Sequence, residues 1–101
     1  MALARVGNVN DFAPGLGKLV EAEGNQIALF NVDGTLYAIN DVCSHAGGPL
    51  SEGALAGYIV TCPNHGSTFD VRTGQNIGPP ARTPVASYKV VVQESDVFVE
   101  V

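Results

Sequence analysis

Short segments in which apolar and polar residues alternate run through most of this chain. Val occurs fourteen times in 101 residues, and the spacing of the apolar residues follows a period of two rather than 3.6. β-Branched residues with this period are typical of half-buried strands. The alternation therefore predicts an all-β fold, and the length predicts one domain over residues 1–101.

Turn residues divide the apolar segments into individual strands. We predict strands at Lys18–Glu21, Gln26–Phe30, Thr35–Ile39, Tyr58–Thr61, Ser67–Val71, Ser87–Gln93 and Asp96–Val101. Hairpin turns are expected at Asn31-Val32-Asp33-Gly34 and Glu94-Ser95. Residues 49–55 could hold a helical turn, and the Gly- and Pro-containing segments 41–51 and 78–80 are predicted to be loops.

The charge balance narrows the range of partners. Five Lys and Arg against ten Asp and Glu give a formal net charge of -5, whereas nucleic-acid and anionic-membrane binders need clustered cations. The longest apolar runs, residues 27–30 and 90–92, are far shorter than the roughly 20 residues that span a bilayer. Arg5 interrupts the N-terminus too early for a signal peptide. We therefore expect a soluble, cytoplasmic protein that binds neither nucleic acid nor membrane.

All Cys and His residues, two of each, lie in two short motifs. Cys43-Ser44-His45 and Cys62-Pro63-Asn64-His65 are separated by sixteen residues. In extended chain, residues i and i+2 point to the same side, so the first motif can present both ligands together. The Cys-x-x-His turn can do the same from the opposite loop. The arrangement predicts one metal site held by two loops.

Three kinds of site fit these four residues. A binuclear iron-sulfur unit needs four protein ligands, and two thiolates with two imidazoles form the Rieske ligand set. A Cys2His2 zinc site uses the same side chains, although its pairs usually have spacers of two to four residues. A Cys/His nucleophile pair would leave the second motif unexplained. The spacing favours the iron-sulfur unit and leaves the other two as alternatives.

The residues around the motifs resemble a known family. Cys43-Ser44-His45, followed after sixteen residues by Cys62-Pro63-Asn64-His65-Gly66-Ser67-Thr68-Phe69-Asp70, resembles the double motif of Rieske 2Fe-2S proteins. The chain length and Gly78-Pro79-Pro80 resemble the small ferredoxins that serve ring-hydroxylating oxygenases. The resemblance implies a Rieske-type antiparallel β-sandwich with a small cluster-binding subdomain, formed by two loops, at about residues 41–80.

The resemblance also implies the cofactor, which is one Rieske-type 2Fe-2S cluster. Its ligands would be Cys43 and Cys62 on one iron and His45 and His65 on the other. Phe69 departs from the high-potential members of the family, which have a tyrosine there that bonds a ligand sulfur.

Residues beside the ligands receive roles from the same resemblance. The second shell of the cluster would comprise Ser67, whose hydroxyl would bond a bridging sulfide, together with Gly66 and Pro80. Gly47, Gly48 and Pro49 would form an uncharged surface where a partner docks.

The function implied is that of a soluble one-electron carrier, which passes electrons from a reductase to the terminal oxygenase of an aromatic-ring-hydroxylating dioxygenase system. We predict no catalytic residue. Rieske oxygenases add a mononuclear iron held by two histidines and a carboxylate, and both histidines of this chain are used by the cluster. A zinc-stapled interaction module and an electron-transfer subunit of a nitrite-reductase-type complex are the alternatives.

Overall fold

The computed structural model describes residues 2–44, 48–64, 66–79 and 81–101. These residues form strands and two 3-10 turns, which confirms the all-β class. The strands are β1 Leu3–Asn8, β2 Gly17–Ala22, β3 Asn25–Val32, β4 Thr35–Asn40, β5 Ala54–Ala56, β6 Ile59–Thr61, β7 Thr68–Asp70, β8 Asn76–Gly78, β9 Ser87–Tyr88, β10 Val90–Gln93 and β11 Asp96–Glu100. The 3-10 turns are Val9–Asp11 and Leu50–Glu52. No helix in the described ranges is long and apolar enough to cross a membrane.

The strands form three antiparallel sheets. One sheet has the order β1-β11-β10, the second has β2-β3-β4-β9, and the third has β5-β6-β7-β8. We call the first two the basal sheets. The third sheet follows the first predicted ligand loop in the chain, and the second predicted ligand loop lies between its strands β6 and β7. Each pairing of neighbouring strands is antiparallel.

Strand β3 separates two hydrophobic cores. Ile27 and Leu29 belong to the core between the basal sheets, whereas Ala28 and Phe30 belong to the core under the third sheet. Successive side chains of a strand point to opposite faces, so β3 serves both cores and is buried along most of its length. The second core also contains both cysteines. Packing around β3 therefore fixes the ligand loops relative to the basal sheets.

The predicted strand Ser87–Gln93 is wrong as a single strand. The chain leaves one sheet at Lys89 and enters another, because Tyr88 pairs with Ala38 of β4 whereas Val90 pairs with Val99 of β11. Strand β9 thus links the two basal sheets. The period-two pattern continues through Lys89 and gives no sign of this change of partner.

The other predicted strands agree with the structure to within a few residues. The turns Asp33-Gly34 and Glu94-Ser95 each join two paired strands, and the helical turn lies at Leu50–Glu52. The sequence reading missed β1, β5 and β8. Strands β5 and β8 have only three residues each, too few to show a period, and Gly78 had been assigned to a loop.

Candidate metal centre

The first ligand loop is closed at its base by Asp41, which is buried. The Asp41 N–H donates to the Gln26 carbonyl, and the Asp41 carbonyl accepts a 2.7 Å hydrogen bond from the Leu50 N–H. One carboxylate oxygen accepts from the Ser51 N–H at 2.8 Å. Above this base, the Cys43 N–H donates to the Gly48 carbonyl at 2.9 Å. Backbone bonds therefore hold Cys43 on one side of a narrow loop.

The second ligand loop is a tight connection between β6 and β7. The Cys62 N–H donates to the Ser67 carbonyl at 2.7 Å, and the Gly66 N–H donates to the Cys62 carbonyl at 3.1 Å. Gly66 has a φ of 79°, a value that favours glycine. These bonds fix Cys62 at the start of the loop and Ser67 at its end.

The two loops meet at Gly48. A β-carbon built on Gly48 would lie 2.9 Å from Cys62 Sγ and 2.8 Å from Asn64 Nδ2. Both cysteines are buried, with relative exposures of 3% for Cys43 and 1% for Cys62. A side chain at position 48 would force Asn64 or Cys62 to shift, because the backbone of the first loop approaches the thiol of the second.

The structure corrects our expectation for Gly48. We predicted a docking residue, but Gly48 is buried and its backbone packs against the second loop. Pro49 is half-buried, so it keeps some exposed surface. Gly47 lies outside the described residues, as do His45, His65 and Pro80.

Ser67 is fully buried, and its hydroxyl oxygen accepts a 3.1 Å hydrogen bond from the Ala81 N–H. Ser44, beside Cys43, donates its hydroxyl to the Thr83 carbonyl at 2.6 Å. Each ligand loop is thus bonded to one short segment, residues 81–85, which we call the strap. The sequence assigned Ser67 to the cluster environment but gave no indication that Ser44 and the strap would meet.

The far end of the third sheet carries a charged cluster that the sequence reading also missed. Arg72 donates to both carboxylate oxygens of Asp70, at 3.1 and 2.8 Å, and its guanidinium lies 4.1 Å from the centroid of the Tyr58 ring. The hydrogen bonds from Arg72 lower the pKa of Asp70 below its ordinary value of 3.8. Tyr37 of β4 contacts Tyr58 edge-on at 5.9 Å. This cluster joins the third sheet to a basal sheet.

A cavity of about 400 Å³ lies elsewhere, between the basal sheets. Its lining is mostly apolar and includes Val9, Leu36, Val90 and Val92, with no cysteine among its residues. It is therefore separate from the ligand loops.

The donor chemistry of the loops fits an iron-sulfur cluster. Two buried thiols on two touching loops can bind one iron, and the histidine that follows each cysteine in sequence offers an imidazole for the other. Burial in an apolar core keeps water from the cysteine thiols, and the exclusion of water is one means by which a protein tunes the reduction potential of a cluster.

Comparison with known proteins identifies the family. The profile of the Rieske [2Fe-2S] domain matches residues 2–89. The chain belongs to the Rieske [2Fe-2S] family, and it therefore carries a Rieske-type 2Fe-2S cluster. Membership of this family favours the iron-sulfur cluster over zinc and over a Cys/His nucleophile pair.

Individual relatives narrow the class further. The chain is 47% identical to the 3-phenylpropionate/cinnamic acid dioxygenase ferredoxin subunit of Shigella boydii serotype 4 (strain Sb227) over 75 residues, which are 73% of this chain and 71% of that protein. It superimposes on the ferredoxin of carbazole 1,9a-dioxygenase from Nocardioides aromaticivorans IC177 with a TM-score of 0.94 and 31% identity, covering 98% of this chain and 97% of that one.

A ferredoxin in complex with an oxygenase is also similar. It was solved in the complex of reduced oxygenase and oxidized ferredoxin of carbazole 1,9a-dioxygenase, with a TM-score of 0.90, 35% identity and coverage of 96% of this chain and 91% of that one. The expected Rieske ferredoxin fold is confirmed. The chain is an electron-transfer component and not an oxygenase in its own right.

Proposed function

We propose that this chain is the ferredoxin of an aromatic-ring-hydroxylating dioxygenase system, where it accepts one electron from a reductase and passes it to the terminal oxygenase. The observation that carries the proposal is the match to a dioxygenase ferredoxin over 98% of this chain and 97% of the other. The 47% identity to a second dioxygenase ferredoxin subunit supports it. A cytoplasmic location accords with the reduced thiols that the ligand set needs.

We propose that residues about 41–80 form the cluster-binding subdomain, with Cys43 and Cys62 on one iron and His45 and His65 on the other. The contact between Gly48 and Cys62 supports this pairing, because it brings the two cysteine loops together. When bound, the cluster supplies reversible one-electron oxidation and reduction. The chain holds the ligands in place, excludes water from the thiolates and presents one edge of the site to a partner.

Residues around the proposed ligands and residues that a partner would contact complete the proposal. Ser67 and Gly66 end the second ligand loop, and Pro80 precedes Ala81, whose N–H donates to the Ser67 hydroxyl. Exposed, uncharged residues near the second loop, Pro63 and Asn64, extend the docking surface that we propose for Gly47 and Pro49.

Spectroscopy and partner reduction test the function. Anaerobically purified protein should contain about two irons and two acid-labile sulfides per chain, and the reduced form should give a rhombic electron-paramagnetic-resonance spectrum. Stopped-flow mixing of the reduced protein with a terminal oxygenase should oxidise the ferredoxin at a rate proportional to oxygenase concentration. A colourless protein with stoichiometric zinc would contradict the proposal.

Replacement of the histidines tests the ligand assignment. His45→Ala and His65→Ala should each abolish normal cluster assembly, because each removes an imidazole from an iron. Ser87→Ala, on exposed β9, is the control and should assemble normally. An unchanged spectrum in either histidine variant would refute the assignment.

A further inference from the structure

The strap fixes one arginine beside both ligand loops. Ala81 is bonded to Ser67, and Thr83 is bonded to Ser44, so both chain neighbours of Arg82 are anchored. A third bond, from Asn76 Nδ2 to the Ala81 carbonyl at 3.3 Å, ties the strap to β8. The backbone of Arg82 is therefore held in place.

These anchors lie next to the two cysteines. Ser44 follows Cys43 in the chain, and the Ser67 carbonyl accepts the hydrogen bond of the Cys62 N–H at 2.7 Å. Arg82 thus lies between Ala81 and Thr83, each of which is hydrogen-bonded to one of the ligand loops. Its own side chain is exposed.

Arg82 carries an uncompensated charge. Within the described ranges, the other two arginines are neutralised, Arg5 by Asp96 at 3.0 Å and Arg72 by Asp70 at 2.8 Å, whereas Arg82 has no carboxylate partner. The exposed residues near the second loop, Pro63, Asn64 and Gly66, are uncharged. Glu52 lies in the 3-10 turn that packs against β2 and β3, on the basal side of the first loop.

We propose that Arg82 is a docking cation, held by the strap at the edge of the metal centre, which binds a carboxylate on the surface of the redox partner. The inference rests on the proposed role of the chain as an electron carrier. The net charge is -5, so an acidic surface is repelled by most of the protein and attracted, beside the ligand loops, where Arg82 projects. That contrast orients the partner toward the cluster, since complementary charges steer the diffusional encounter of two proteins and fix their relative orientation.

A small carboxylate-bearing oxidant tests the charge without a protein partner. The reduced protein, prepared anaerobically with dithionite and freed of excess reductant, is mixed with ferric EDTA, an anion of charge about -1. One electron passes from the protein to the ferric ion, which yields ferrous EDTA and oxidised protein. The second-order rate constant reports the local potential at the edge where the electron leaves.

Two variants of equal charge change are compared. Arg82→Glu should slow the reaction about threefold at about 10 mM ionic strength and less than about 1.5-fold at about 0.5 M, as expected for two charge units about 10 Å away in water. Lys89→Glu makes the same change on the basal sheets and should have an effect below about 1.5-fold at either ionic strength. Arg82→Lys keeps the charge and should behave like the wild type.

A cationic oxidant supplies the converse measurement. Hexaammineruthenium(III) should oxidise Arg82→Glu faster than the wild type at low ionic strength, since the added carboxylate attracts it. If Arg82→Glu fails to assemble the cluster, as judged by its visible spectrum, Arg82→Gln replaces it, with an expected slowing of about 1.7-fold for ferric EDTA. Equal effects of Arg82→Glu and Lys89→Glu would overturn the proposal.

Transfer to the terminal oxygenase of the same system is the second arm. Arg82→Glu should lower its rate constant more than Lys89→Glu does, and added salt should remove the difference. If ferric EDTA senses Arg82 but the oxygenase does not, the docking role is overturned. If the wild type fails to reduce any terminal oxygenase, the proposed function fails instead, and the ferric EDTA series alone decides whether Arg82 attracts a carboxylate.

Discussion

Ser67 accepts a 3.1 Å hydrogen bond from the Ala81 N–H through its hydroxyl oxygen, and neither residue has appreciable exposure. The bond joins the second ligand loop to the strap and uses the hydroxyl as an acceptor. A serine hydroxyl that accepts one hydrogen bond can still donate its own hydrogen to a second acceptor. One buried side chain can therefore both fix the strap and donate toward the metal centre.

Ser67→Ala should destabilise the protein by about 1–2 kcal/mol, because the buried Ala81 N–H would lose its acceptor. If the Ser67 hydroxyl donates to a cluster sulfur, the reduction potential should also fall, since that donor favours the more negative reduced state. Urea unfolding and film voltammetry measure the two effects. Ser87→Ala serves as the exposed control. Loss of stability with an unchanged reduction potential would show that Ser67 fixes the strap and does not donate a hydrogen bond to a cluster sulfur.

Gly48→Ala should reduce cluster content, because a β-carbon there would lie 2.9 Å from Cys62 Sγ. Overpacking of this kind typically costs about 1–3 kcal/mol. Gly24→Ala is the matched control: Gly24 has a φ of 79° and open space around it, so its substitution strains only the turn. Iron content and the unfolding midpoint should separate the two. Full cluster content in Gly48→Ala would show that the loops can move apart.

Phe69→Tyr tests the origin of the potential. Phe69 is fully buried in the core that contains both cysteines. With no hydroxyl at this position, the potential should lie near the bottom of the Rieske range of roughly -150 to +300 mV. A tyrosine that reaches a ligand sulfur should raise it. Voltammetry combined with thermal unfolding decides the outcome, since a hydroxyl left unpaired would lower stability by about 1–3 kcal/mol and leave the potential unchanged.

Acid should weaken the contact between the third sheet and the basal sheets. Arg72 lowers the pKa of Asp70 below 3.8, so the folded state binds the Asp70 proton less readily than the unfolded state. The stabilising contribution is complete above the unfolded pKa and is lost as the pH falls toward the lower folded pKa.

Asp70→Asn should therefore be less stable than the wild type near neutral pH, and the difference should shrink below about pH 4. The midpoint of thermal bleaching of the visible spectrum, followed as a function of pH, measures it. Asp96→Asn removes the exposed pair with Arg5, in which the side chains are 55% and 47% exposed, and should have little effect. Equal destabilisation by both substitutions would contradict this account.

The sequence alone determined the fold class and predicted a set of four ligands. Period-two alternation and β-branched residues specify half-buried strands wherever the run is long enough, as in β3 and β11. All four Cys and His residues lie in two motifs, which favoured one shared metal site as their use. Both are local patterns, and local patterns can be read along one chain.

Only the tertiary structure decided which residues surround that site. The break at Lys89 arises because β9 and β10 pair with different sheets, a choice of partner that a strand pattern does not encode. The sequence predicts a docking residue at Gly48, but the approach of Cys62 Sγ from the other loop makes it part of the packing. Ser44 and Thr83 are 39 positions apart in the chain. Their hydrogen bond holds the strap, and with it Arg82, against the first ligand loop, and a contact between residues so distant in the chain forms only when the chain folds.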